Sequence, residues 1–212
     1  MKAIKGLVCS FGLMGLLAAC APAQKETAPA PAEEKNAVIE TIMARRSIRK
    51  YTDQPVEREK LEKIVECGIN APSGMNVQPW EVRVVDNPEY INGITEIAKK
   101  ANPQMAEEPG FKNIFRNAPA VIFIANPKNG TGALDCGLLG ENMILAAHSM
   151  GLGTCCLGGP INLMKNTPEA APYIERLGFS EDYDILYAIA VGYPDEAPDA
   201  RPRKAEKAKF VE

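Results

Sequence analysis

The segment that most restricts the fold is Ala118 to Ala125, APAVIFIA, an apolar run with no charged side chain. A short run of this kind, apolar on both faces, predicts a strand buried on both sides. Asp184 to Tyr193, DILYAIAVGY, predicts a second and stronger strand, and the alternation in Trp80 to Val85 a third. Around them lie helical patterns. Asn36 can cap a helix running to about Arg46, with Val38, Ile39, Ile42 and Met43 on one side. Glu57 to Ile69 turns Leu61, Ile64, Val65 and Gly68 toward a core, and Asn87-Pro88 starts a helix through about Ala101. Leu134 to Leu152 carries little charge. Its Leu138, Leu139, Asn142, Ile144, Leu145 and His148 fall on different faces, which predicts a nearly all-buried helix with His148 in a structural role. Gly151 to Gly159 reads as a glycine-rich turn with a short extended piece, and Pro168 to Leu177 as a surface helix. The sum is a mixed domain of about four strands with helices on both sides.

The front of the chain does not belong to that domain. Lys2 and Lys5 precede the uncharged run Leu7 to Leu17, which ends in Leu17-Ala18-Ala19-Cys20. The run is too short to span a bilayer, which takes roughly 20 apolar residues. Residues 1–20 therefore read as an export signal resembling a bacterial lipobox, with Cys20 lipidated and exported to the cell envelope. Residues 21–35 are rich in Ala, Pro, Glu and Lys and read as a flexible tether. Residues 36–212 have the size of one domain. The net charge of −3 excludes a broad basic surface for nucleic acid. Cys67, Cys136, Cys155 and Cys156 show no disulfide spacing and no metal-site spacing, and read as small packed residues.

Four segments carry chemistry. Arg45-Arg46-Ser47-Ile48-Arg49-Lys50-Tyr51 concentrates four positive charges and a hydroxyl where a helix ends, which suits a phosphate monoester. Ala71-Pro72-Ser73-Gly74-Met75-Asn76-Val77-Gln78-Pro79-Trp80 is a tight polar loop that can address the edge of a heterocycle. Gly158 and Gly159 allow close backbone approach to a flat ligand. Arg201-Pro202-Arg203-Lys204 is a second basic cluster. Each alone also fits a bland role: a solvated stretch, a connection, a helix cap, a charged terminus.

Together and in this order, RRSxR, PSGxNxQPW, GLGTCxxG and VGYP…RPRK resemble the nitroreductase family over about Asn36 to Arg203. The resemblance implies an α+β fold with a central, mostly antiparallel sheet of about four to five strands flanked by helices. It also implies an intertwined homodimer with two FMN molecules at its interface. Arg45, Ser47 and Arg49 would hold the FMN phosphate and the pyrimidine edge, with Arg46 contributing through backbone or side chain. Arg201 and Arg203 would close over the phosphate from the tail. Pro72, Ser73, Gly74 and Asn76 would reach the partner's flavin. Cys156, Leu157, Gly158 and Gly159 would lie beside the ring. Many relatives carry an aromatic at the position of Cys156 or an acid near Gly158, and this chain has neither.

The expected activity is a ping-pong oxidoreduction from a reduced donor through FMN to a small organic acceptor such as a nitroaromatic or quinone. The residues Gln104 to Asn117, with Met105, Phe111 and Phe115, are candidates for shaping the acceptor site, and equally for lid or core packing. An exported enzyme would meet little free NADH or NADPH, so a quinol or another reductase is an alternative donor. Two alternatives stay open: a flavin destructase, dehalogenase or enoate-type reductase on the same scaffold, and a flavin-binding lipoprotein without catalysis.

Overall fold

The computed structural model describes residues 35–212. The expected signal segment with Cys20, and all but the last residue of the expected tether, lie outside the described residues.

Six helices and four strands are formed among the described residues: α1 Ala37–Ala44, α2 Arg58–Ile69, β1 Glu81–Val85, α3 Pro88–Ala101, β2 Ala120–Pro127, α4 Ala133–Ser149, β3 Gly153–Leu157, α5 Gly159–Asn166, α6 Ala171–Arg176 and β4 Tyr183–Gly192. The strands make one antiparallel sheet in the order β1-β2-β4-β3. It is the α+β architecture with a four-stranded sheet that the motifs imply.

The unbroken apolar run of β2 is explained by its position. Ala120, Ile122 and Ile124 face a core shared with Leu61 and Ile64 of α2 and Leu139 and Met143 of α4. Val121 and Phe123 face the opposite core, with Tyr90 and Ile94 of α3 and Ile161 and Met164 of α5. Period-2 alternation sends successive residues to opposite faces, and here both faces are covered. Phe123 makes edge-to-face contacts with Phe115 at 5.7 Å and Tyr90 at 6.3 Å. Phe115 is thus fully buried core rather than a pocket residue.

One local expectation needs correction, and two features were not foreseen. Helix α4 is not buried all round: Leu134 is 78% and Leu138 40% exposed, while Cys136, Leu139, Met143 and Ile144 are buried. His148 is half-buried near the end of α4. The stretch after Gly159, unassigned from sequence, forms α5, with Pro160 in its first turn, where a missing N–H costs nothing. The apolar side of α1, which the sequence places on one face, meets no core among the described residues. Val38, Ile39, Ile42 and Met43 are 48–71% exposed. The helix itself is properly started, since Asn36 Oδ1 accepts hydrogen bonds from the Val38 and Ile39 amides.

After α1 the chain runs along the sheet edge. Ser47 bridges Thr154 of β3, and the Ile48 amide donates to the Thr154 carbonyl at 2.9 Å. Ile48 lies so close over Gly153 that a Cβ there would come within 2.7 Å of its side chain. Tyr51 then bridges Pro194, and the Asp195 amide donates to the Lys50 carbonyl. The basic segment is thereby fixed beside β3 by backbone pairing.

Candidate functional site

Edge pairing of Ser47 to Tyr51 presents Arg49 and Lys50 at the mouth of a cavity of about 690 Å³. That volume lies in the usual range for small-molecule sites. The floor is the end of β3 and the start of α5, Cys155 to Pro160. A Cβ built at Gly158 or Gly159 would meet nothing within 4 Å, so these residues keep open space beside bare backbone. The φ of Gly158 is −97°, which any residue can adopt, so close approach to a ligand is the reason left for glycine there. The third wall is the segment between α3 and β2, which contributes Met105, Phe111 and Arg116.

That wall is built by asparagines. Asn117 Oδ1 accepts from the amides of Lys112 and Asn113, and Asn113 Oδ1 accepts from those of Phe115 and Asn117. Their side-chain amides donate to the carbonyls of Gly110 and Ala118. The network holds Arg116 at φ +60° and Asn117 at +63°. Left-handed backbone costs about 1–2 kcal/mol at a non-glycine residue and persists where the surroundings dictate it.

The cavity is electropositive within an acidic chain. Arg49, Lys50 and Arg116 line it against a single carboxylate, Glu108. Among the described residues none of the three cations has a carboxylate within ion-pair distance. Arg49 Nη1 donates to the Ser47 carbonyl, and the Arg49 amide donates to Glu196 at 2.5 Å. Burial pushes the Cys155 thiol above its ordinary range, opposed by Arg49 and Arg116. The Tyr51 phenol, buried and donating to the Ile48 carbonyl at 2.6 Å, is likewise raised by burial and lowered by the same two guanidiniums. Both groups thus stay neutral beneath the cationic mouth.

The residues expected at the site divide into those the structure gathers in one subunit and those it does not. Arg49, Cys156, Leu157, Gly158 and Gly159 line the cavity. Arg45 pairs with Glu141 of α4 at 3.1 Å, within Coulombic reach of the exposed Cys156. Ser47 lies at the β3 edge. Arg46 turns away: its Nη1 donates to the carbonyls of Met43, Ala44 and Arg45, closing the end of α1. Pro72, Ser73, Gly74 and Asn76 are on a projecting loop outside the cavity. Met75, Asn76 and Gln78 there have φ of +50° to +56°, and Ser73 Oγ accepts from the Gln78 amide. Arg201 and Arg203 are exposed and do not reach the cavity of their own subunit; Arg203 donates only to the Arg201 carbonyl among the described residues. The large apolar residues of the tail, Phe210 and Val211, are exposed, so nothing after Pro194 is seated in the core and the two basic ends do not converge within one chain. Arg116 was not legible as a site residue. Its one signal is a lone cation within the apolar stretch NIFRNAPAV.

A cationic cavity with a bare glycine floor, on an antiparallel sheet covered on both faces, defines a receptor for a flat, anionic small molecule. The nitroreductase family profile matches residues 42–193, and the chain belongs to that family. It is 34% identical over 176 residues to an NADPH-flavin oxidoreductase of Vibrio harveyi, covering 79% of this chain and 70% of that one. It is 31% identical over 186 residues to an FMN reductase [NAD(P)H] of Bacillus subtilis, covering 82% and 72%. A nitroreductase with bound FMN from Bacteroides fragilis superposes with a TM-score of 0.73 at 29% identity, over 84% of this chain and 100% of that one. One from Desulfitobacterium hafniense, also with bound FMN, gives 0.74 at 27%, with the same coverage.

Proposed function

We propose that the protein is an FMN-dependent oxidoreductase that works as a homodimer. The observation that carries this reading is the cavity joining unpaired cations to an open glycine floor. Its residues fit the cofactor. Arg49, Arg45 and Ser47 have the charge and donors to hold a phosphate, and Arg201 and Arg203 of the tail supply a second pair of guanidiniums. Gly158 and Gly159 leave room for a flat ring, and Cys156 and Leu157 lie beside it. Bound FMN supplies the two-electron chemistry between a reduced donor and an acceptor such as a nitroaromatic or quinone. The chain's own residues bind, orient and shield.

Dimerisation is supported by what each subunit leaves unused: the apolar side of α1, the strained loop at Pro72–Asn76, and the exposed tail with Phe210 and Val211. A partner subunit would bring that loop and the tail arginines to a cavity they do not reach alone. The charged start at Lys2 and Lys5, the uncharged run Leu7 to Leu17 and the lipobox-like Leu17-Ala18-Ala19-Cys20 support export and attachment to the cell envelope through lipid on Cys20. Under that reading the donor is either NAD(P)H or a membrane quinol.

Flavin absorbance per subunit tests the cofactor. Wild-type protein is expected to purify yellow, while Arg45→Ala and Arg203→Ala lose most of the colour with their circular dichroism unchanged. Full occupancy in both variants would refute the phosphate assignment. Bound FMN that no donor reduces, with NADH, NADPH and reduced quinones tried in turn, would leave a binding protein in place of an enzyme. Globomycin-sensitive processing and labelling of Cys20 by a fatty-acid probe test the anchor; an unprocessed or unlabelled chain would remove it.

A further inference from the structure

The wall between α3 and β2 holds a cation that the cofactor roles leave unused. Arg116 lines the cavity from a loop kept in left-handed backbone by the Asn113–Asn117 network. Lys50 lines the same cavity from the sheet edge. Neither has a carboxylate partner among the described residues, although Glu57, Glu66, Glu81, Glu96, Asp53 and Asp184 each hold a cation elsewhere. Met105 and Phe111 line the same cavity and offer apolar surface, with the Lys99 Nζ 5.9 Å from the centroid of the Phe111 ring. Arg116 is exposed at the cavity rim on a strained, hydrogen-bonded loop and has no carboxylate partner among the described residues, the arrangement expected of a ligand-reading residue.

We infer that this end of the cavity selects an anionic second substrate: a conjugated electron acceptor bearing a carboxylate or phosphate. Its anion lies on Arg116 and Lys50, and its apolar body lies against Met105 and Phe111. The inference rests on the flavin reading above and names the substrate class of that site. Phosphates of a nicotinamide donor share this chemistry, so donor and acceptor are tested apart.

The test uses FMN-loaded protein and a matched pair of acceptors, 4-nitrobenzoate and its neutral methyl ester. Flavin content is read first. Reoxidation of the dithionite-reduced protein is then timed with each acceptor, and equilibrium binding to the oxidised protein is followed by perturbation of the flavin spectrum. In wild type the acid is expected to react faster and bind tighter than the ester at low salt, with the advantage shrinking at high salt. Arg116→Gln lowers the acid-to-ester ratio about tenfold in both readouts, and Arg116→Lys restores part of it.

Equal rates and affinities for acid and ester in loaded wild type at low salt would overturn this inference and leave the flavin reading standing. Colourless wild type would remove both. Loss of FMN from Arg116→Gln alone would assign Arg116 to the cofactor and overturn the acceptor assignment. A tenfold slower reduction by NADPH with an unchanged acid-to-ester ratio would move the anion to the donor, with the same consequence.

Discussion

At the scale of single residues, the site is a matter of where charge is left unpaired. Arg45 is held by Glu141, so its grip on a phosphate would exchange one carboxylate-like partner for another. A hydrogen bond to a charged group contributes about 1.5–3 kcal/mol, so Arg45→Ala should weaken FMN binding about tenfold or more in a fluorescence titration. Cys156 offers a second check. It is exposed in the cavity, whereas Cys136 and Cys155 are buried. Maleimide should modify Cys156 ahead of these two, and saturating FMN should slow that modification at least about tenfold if the ring covers it. Equal labelling with and without FMN would place the ring elsewhere. Cys136 gives a pH prediction. Burial, with a smaller contribution from Asp135, pushes its thiol up to about 11 from an ordinary value near 9. Between those values the unfolded chain has released a proton that the folded chain retains, so stability falls as pH rises from 9 to 11. The melting temperature of Cys136→Ala should decline less steeply over that window than that of wild type; parallel slopes would remove Cys136 as a cause.

At the scale of elements, the strands were the most legible part of the sequence. APAVIFIA and DILYAIAVGY became neighbouring strands because their side chains fill both cores. The helix caps Asn36 and Asn87 marked true helix starts. What periodicity could not supply was the identity of the surface each apolar stripe meets. The one-sided stripe of α1 is bare, and periodicity alone does not say whether such a stripe meets a core or another surface. Helix α5 was hidden by Gly159-Pro160, which reads as a breaker unless it opens a helix. Arg116 was hidden because the network that holds its loop is a three-dimensional closure of Asn113 and Asn117, with no fixed motif. The bare face of α1 leads to a prediction: Ile42→Glu should shift the protein toward monomer in sedimentation velocity. An unchanged dimer would take α1 out of the interface.

At the scale of the whole molecule, the incompleteness of the single subunit is the main physical result. Arg49 and the glycine floor line a cavity, but the polar loop at Pro72–Asn76 and the tail arginines are not among its lining residues. Four motifs identified from sequence as one site are therefore split between a cavity and two projecting segments. The proposed two-fold assembly would reconcile them, since an isologous interface would let each subunit complete the other's site. Cofactor binding and dimerisation would then be linked: ligand that binds only the assembled form stabilises it by mass action. The most direct measurement is light scattering with in-line flavin absorbance on the domain beginning at Asn36. The account predicts a dimer carrying about one FMN per subunit, with both properties weakened together in Ile42→Glu. A stable monomer that retains full FMN occupancy would contradict it.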